Sequence, residues 1–304
     1  MILGIAAALS TLLLWSVGTM AFLTASRAIN PALLNRTRLA LAVVATGILA
    51  CILTPFWPWQ LIRGATPTQW IWLGLSGIVG LTIGDFLGFS GLRILGARRQ
   101  SVISTIAPAA AATAGFIALD ERISWIGIGG MTLSIAGIMY SLSGTEERSD
   151  VDRDGYGSFT AGVLYTIGGA VCQGVGLVLA KLGLEEQPLS PFHATFLRMS
   201  IGFASTYLLD MMRRTRIYPM RTAFADKQGA RSMLIGAVFG PIVGVTCSLI
   251  AVKHLDAGIA QTIFSLIPFV VMTIAAVRYR ERLRPQVIIG AVIAVAGVIL
   301  LVRG

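Results

Sequence analysis

Charge is scarce in this sequence. Of 304 residues only 12% are Asp, Glu, Lys or Arg, against about a quarter in soluble domains. Hydrophobic residues make up 55% and the mean hydropathy is +0.79, a balance that excludes a water-soluble globule. Histidine occurs only at His193 and His254, and cysteine only at Cys51, Cys172 and Cys247, each alone within an apolar run. No metal or redox spacing results. There is no H-E-x-x-H and no clustered acidic pair within an apolar run, so neither a metal nor any other cofactor is expected, and the chain does not read as an enzyme. The phosphate-cradling pattern G-x-x-x-x-G-K-[ST] is missing too, which argues against an ATP-driven pump within this chain.

What the sequence has instead is apolar length. About 20 apolar residues cross the hydrocarbon as a helix, and ten such runs lie near residues 2–25, 32–53, 69–91, 100–119, 123–143, 158–181, 190–210, 231–252, 257–277 and 285–302. The expected fold class is an all-α integral membrane protein with ten transmembrane helices. No basic segment precedes "ILGIAAALSTLLLWSVG", so this run is read as the first spanning helix rather than a cleaved leader. The net charge of +10 would suggest nucleic acid in a soluble domain. Here the charges sit between apolar runs, beside lipid head groups, and no nucleic-acid partner is expected.

The stretch "IAPAAAATAGFIALDERISWIGIGGMTLSIAGI" (106–138) has a twin in "IPFVVMTIAAVRYRERLRPQVIIGAVIAVAGVI" (267–299). A shift of 160 residues places Pro108 on Pro268, Glu121 on Glu281, Arg122 on Arg282, Gly130 on Gly290 and Gly137 on Gly297. The same shift pairs Pro31 with Pro191, Arg38 with Arg198, Gly80 with Gly240 and Gly84 with Gly244. Only the first helix of each half needs a different shift, of about 155. Such long-period self-similarity marks an internal duplication: a first repeat at 1–143, a polar acidic linker at 144–157 ("GTEERSDVDRDGYG") and a second repeat at 158–304. Five helices per half invert the second half relative to the first. Inverted repeats let two similar halves exchange conformations and expose one central site to each side in turn.

Eighteen of the 24 lysines and arginines fall in or beside the odd-numbered loops. The positive-inside bias then puts those loops in the cytoplasm and both termini outside. The basic loop "MMRRTRIYPMRTAFADKQGARS" suits an anionic lipid surface.

Asp85 is the one carboxylate deep inside an apolar run, where a charge costs about 2.5–3.5 kcal/mol on insertion scales and must face protein or an aqueous cavity. It suits a helix-to-helix bond, a local ion pair, a proton-binding group or a counter-ion for a cationic substrate. Its repeat partner, Val245, carries no charge. Arg38 and Arg198 lie several residues inside their helices and are expected to snorkel or pair, or to reach a cavity. Pro108 and Pro268 break matching helices, and paired breaks point to a binding site. Trp15, Ser16, Gln100, Ser101, Tyr165, Gln173, Gln261 and Thr262 lie at similar depth and complete the candidate lining. Ser76, Gly80, Gly84 and Gly88, with Gly236, Gly240, Gly244 and Ser248, form small-residue stripes suited to close helix packing. The Gly130/Gly137 and Gly290/Gly297 faces suit either internal packing or a dimer seam, so a monomer is sufficient.

In both halves a proline is followed thirteen positions later by Glu-Arg, and then by a glycine-rich helix ending Ala-Gly-Ile or Ala-Gly-Val. With the duplication, this resembles the drug/metabolite transporter superfamily, and within it the EamA-like family, over essentially the whole chain. The resemblance implies a multi-pass protein of the cell (plasma or inner) membrane, with a central cavity bounded by helices one, three, four, six, eight and nine and with helices five and ten peripheral. It implies both termini in the cytoplasm, against the charge bias. It also implies export of amino acids, metabolites or drugs. A small organic solute as substrate, surrounding lipid and possible coupling protons are the expected partners. A flippase for a lipid or lipid-linked sugar is the alternative.

Overall fold

The computed structural model describes residues 1–53, 57–143, 157–186, 189–279 and 285–303. Most of the acidic linker, 144–156, lies outside the described residues, as does Glu281–Arg282 of the second motif. Every described segment of regular structure is helical. The reason lies in the solvent: in hydrocarbon each backbone N–H and C=O must be satisfied within its own segment, and apolar residues on all faces leave no aqueous side.

In the first half, α1 spans Ile2–Ala28, α2 Pro31–Leu53, and the short α3 Pro58–Arg63 lies in what the sequence presents as a loop. The third long helix is composite. Its first part, α4 (Pro67–Ser76), runs into a π-helical stretch at Gly77–Gly84 and on into α5 (Asp85–Ile103). Gly96 interrupts α5 with φ 77°, ψ 164°, a left-handed conformation that a side chain would strain. After a 3₁₀ turn at Ser104–Ile106 come α6 (Ala107–Leu119) and α7 (Trp125–Ser143).

The second half repeats the order with α8 (Phe159–Glu185), α9 (Pro191–Met212), α10 (Lys227–Ala237), a π-helical stretch at Val238–Ile242, α11 (Val243–His254), α12 (Ala257–Phe264), α13 (Ile267–Tyr279) and α14 (Pro285–Arg303). Among the described residues, five helical segments are long and apolar enough to cross a membrane: Ile2–Ala28, Pro31–Leu53, Pro67–Gly96, Phe159–Glu185 and Lys227–His254.

Start signals are local. Thr66 and Gln69 form a reciprocal capping box before α4, Ser158 accepts from Ala161 N–H at 3.2 Å before α8, and Pro191 opens α9. The expected mid-helix kinks at Pro108 and Pro268 are displaced: each proline is the second residue of its helix, and the break lies in the turn just before it. A proline in the first turn loses no hydrogen bond, so the interruption precedes it.

The main packing joins one half to the other. The composite helix α4–α5 lies against α8 and its counterpart α10–α11 against α1, while α2 pairs with α9, α6 with α12 and α7 with α14. Small residues permit these approaches. A Cβ placed on Gly176 of α8 would meet Gly80 Cα at 2.9 Å, and one on Gly84 would meet the Cys172 Cβ at 3.0 Å. Ser76 donates across the same seam to the Gly176 carbonyl at 2.5 Å. In the counterpart seam Gly236 and Gly240 receive Phe22, and Gly244 receives Trp15. The Gly130/Gly137 and Gly290/Gly297 faces interlock with each other, so they form an internal seam between α7 and α14. Between the halves Leu39, Leu177, Leu197, Val245, Leu249 and Phe264 form a buried core, while Leu9, Leu13, Val44, Ile48, Ile126 and Val292 are exposed on outward faces, as lipid contact requires.

Glu121 of the duplicated motif has a mechanical role. Its carboxylate accepts from Lys181 Nζ at 2.6 Å and from the Ala257 backbone N–H at 3.1 Å, so it fixes α8 and caps the N-terminus of α12. Lys181 also donates to the Leu255 carbonyl at 3.0 Å. Both side chains are under a tenth exposed. Removing Lys181 strands the buried Glu121 carboxylate, so Lys181→Ala is expected to destabilise the detergent-solubilised protein by about 3–5 kcal/mol in thermal unfolding, and Glu121→Ala by less, because Lys181 keeps Asp256 at 3.5 Å. Arg122→Ala, at an Asp120 pair that is 79% exposed on both sides, is expected to stay within about 0.5 kcal/mol. In the seam, Gly176→Ala is expected to cost about 1–3 kcal/mol by forcing backbones apart, whereas Gly129→Ala, which meets nothing within 4 Å, is expected to be neutral or stabilising in the same measurement.

Candidate functional site

The π-helical stretch at Gly77–Gly84 frees backbone carbonyls inside the protein, and the side chains around it answer that deficit. Asn35 on α2 donates to the Leu81 and Thr82 carbonyls at 2.9 and 3.3 Å. Its own carbonyl accepts from Arg38 Nε at 3.0 Å and Nη2 at 2.8 Å. Arg38 in turn forms a short ion pair with Asp85, the residue that ends the π stretch. Gln173 on α8 donates to Asp85 Oδ1 at 2.8 Å and to the Gly80 carbonyl at 3.3 Å. One polar chain therefore ties α2, α5 and α8 at the middle of the molecule.

This chain borders a cavity of about 240 Å³, reached by side chains from both halves. Its walls are mostly apolar and aromatic. Trp15 lies against Phe264 with ring centroids 5.1 Å apart, and Phe22 against Phe89 at the same separation. The Arg38 guanidinium sits over the Phe89 ring at 4.8 Å and the Phe22 ring at 5.4 Å, a cation–π arrangement that helps hold a desolvated cation.

Arg198 on α9 reaches the same cavity and is only 3% exposed. Gly80 makes room for it, since a Cβ there would lie 2.9 Å from Arg198 Nη2. Asp85 lies within Coulomb reach, yet among the described residues Arg198 makes no hydrogen bond or ion pair, and its Nε is buried without a partner. Arg38, Arg198 and Asp85 together leave a formal excess of one positive charge.

Of the residues expected at the site, Asp85, Arg38, Arg198, Trp15, Gln100, Gln173 and Gln261 line this cavity, with Pro268, Gly84 and Gly240 in its wall. Of the alternatives open to the two arginines, snorkelling is set aside: Arg38 pairs with Asp85, both arginines reach the cavity, and both are buried. Ser16 and Thr262 do not line the cavity. Each is fully buried and gives its hydroxyl to a carbonyl of its own helix, Leu12 at 2.6 Å and Gly258 at 2.7 Å. Tyr165 lines a second pocket instead. Pro108, Gly80 and Gly244 serve packing just behind the wall, and the side chain of Ser101 lies outside the described residues.

Asn35, Phe22, Phe89 and the pair Arg36/Asp210 were not legible as site residues. Asp210 on α9 is only 2% exposed, so Asp85 is not the only buried helical carboxylate. Two charges 174 positions apart carry no mutual signal in a sequence.

A helical membrane protein whose two halves enclose a charged, aromatic-walled cavity has the build of a membrane transport protein. The model of the EamA-like transporter family matches residues 2–143 and 160–303, and the chain belongs to that family. It is a multi-pass membrane transporter of the drug/metabolite transporter superfamily. No curated protein matches. One solved crystal structure, 19% identical, aligns over 98% of this chain and 95% of its own with a TM-score of 0.68. That likeness shows the fold.

Removing either charge of Arg38/Asp85 is expected to destabilise by about 3–5 kcal/mol, whereas Arg38→Met combined with Asp85→Leu is expected to recover most of that loss. Thermal unfolding reads the stability, and uptake into proteoliposomes is expected to stay absent in the double variant.

Proposed function

We propose that this chain is a secondary transporter that moves a small organic solute outward across the cell membrane by alternating access. In this reading ten helices cross the bilayer as two inverted five-helix repeats. The exchange of packing partners supports it: span three lies on span six as span eight lies on span one, with π-helical stretches and helix breaks at positions related by the 160-residue shift. The positive-inside bias places both termini outside the cytoplasm.

The observation that carries the site assignment is Arg198. A guanidinium held in a membrane-buried cavity without a direct partner is costly, and a substrate anion would repay that cost. Asp85, already matched by Arg38, is then a holder of the site rather than the counter-ion for a cation. The solute is a carboxylate, or an amino acid presenting its carboxylate to Arg198, with an apolar body between the aromatic walls. A cavity of about 240 Å³ with mostly apolar walls and a few polar groups is the kind of site that takes a small organic ligand.

The test uses solutes in matched triplets, an acid, an amino acid and an amine on the same skeleton, such as phenylacetate, L-phenylalanine and phenethylamine. A ligand that binds only the folded state stabilises it by about 2.7 kcal/mol at a hundred times its Kd. Acids or amino acids are expected to raise the unfolding midpoint of the wild type and not of Arg198→Gln, and amines to leave both unchanged. Stabilisation by the amines alone would overturn the anionic assignment and return Asp85 to the role of counter-ion.

A further inference from the structure

Among the described residues three glutamines line the central cavity, and two of them are committed to the protein. Gln173 holds Asp85 and the Gly80 carbonyl, and Gln100 donates to the Gly88 carbonyl at 3.1 Å. Gln261 on α12 differs. It is only 8% exposed and lines the cavity, yet among the described residues its side-chain amide makes no hydrogen bond. An amide carries two donors and an acceptor oxygen, and its burial is costly unless water or a ligand answers them.

The backbone around Gln261 does not need this amide. The Gln261 carbonyl accepts from the Ser265 N–H at 2.9 Å, so main chain closes the end of α12. The position is firmly held all the same. Ala257, one turn earlier, donates to the Glu121 carboxylate at 3.1 Å, and Phe264, three residues on, lies against the Trp15 ring. Gln261 and Phe264 share a helix face, which sets the amide beside the aromatic wall. Ser265 also lines the cavity. It gives its proton to the Thr262 carbonyl at 2.7 Å and keeps its own oxygen as an acceptor.

We infer that Gln261 is a specificity-determining residue, reading a hydroxyl or amino substituent on the carboxylate-bearing solute that Arg198 holds. This rests on the assignment of Arg198 as the anion ligand and adds a second requirement to it. Arg198 enters from α9 and Gln261 from α12, so the solute is fixed at two polar points while the aromatic walls take its apolar body. A plain carboxylic acid strips water from the amide and puts nothing in its place. Sites built to hydrogen-bond a substrate O–H or N–H reject analogues without it for this reason.

The test uses one skeleton with four patterns: hydrocinnamate without a substituent, phenyllactate with a hydroxyl beside the carboxylate, L-phenylalanine with an amino group there, and phloretate with a hydroxyl on the ring. Each is titrated during thermal unfolding of the full chain in detergent, for the wild type, Gln261→Met and Arg198→Gln. In the wild type at least one substituted acid is expected to bind about tenfold more tightly than hydrocinnamate. Gln261→Met, which keeps the length of the side chain, is expected to abolish that ratio while hydrocinnamate still binds. Its midpoint without ligand is expected to be no lower than that of the wild type, since no protein hydrogen bond is lost. Gln261→Leu repeats the measurement where the methionine variant does not fold. Equal affinity for all four acids in the wild type, an unchanged ratio in the variant, or a lowered ligand-free midpoint in both variants overturns the role of Gln261, and Arg198 keeps its own as long as Arg198→Gln abolishes binding of the acids. Stabilisation of the wild type by none of the four acids overturns the Arg198 assignment itself, and this inference with it.

Discussion

A guanidinium and a carboxylate moved from water into a membrane interior each lose solvation, which close pairing and further hydrogen bonds must replace. Arg38 and Asp85 meet that condition only because neighbouring elements supply the rest: Asn35 beneath the guanidinium, two phenylalanine rings across its faces, and Gln173 on the second carboxylate oxygen. The π-helical stretch creates the carbonyls that Asn35 and Gln173 also satisfy. Pair, bulge and amides form one unit, and the positions of α2, α5 and α8 follow from it. Arg198, placed beside this unit by the absence of a side chain at Gly80, is the charge the protein leaves without a direct partner.

The interface between halves carries the same economy. Without a hydrophobic force to press helices together in lipid, contact depends on close backbone approach and on polar links. The glycine stripes provide the first, and Ser76 to Gly176 and Lys181 to Glu121 the second. At the end of this interface Arg36 and Asp210 tie α2 to α9.

Much of the architecture was legible because hydrocarbon enforces it. Apolar length gave the helices, and the 160-residue shift gave the relation of the halves, the glycine stripes and the paired breaks. Asp85 stood out because a carboxylate in such a run needs a reason. The direction of a long stem could not be read in the same way: Arg38 and Arg198 were equally able to reach the interface, a partner or a cavity, and only the position of Asp85 and of the cavity decides between them. Ser16 and Thr262 had the right depth but face their own helix carbonyls, an outcome that polarity alone does not distinguish from cavity lining. Asn35 resembles any polar residue near a helix start until the π stretch beside it is known, and that stretch has no compositional mark beyond glycine.

A π turn holds one more residue than an α turn, and helices advance by about 100° per residue. A bulge passed along the helix by one register therefore acts as a screw: side chains it crosses rotate by about that angle while the ends of the helix stay seated. Asp85 lies at the trailing edge of one such bulge, and Gly240 and Pro241 lie within the other. Each of the two composite helices thus carries a π-helical stretch at cavity depth, where such a register shift would change which groups face the cavity without dragging a charge through lipid.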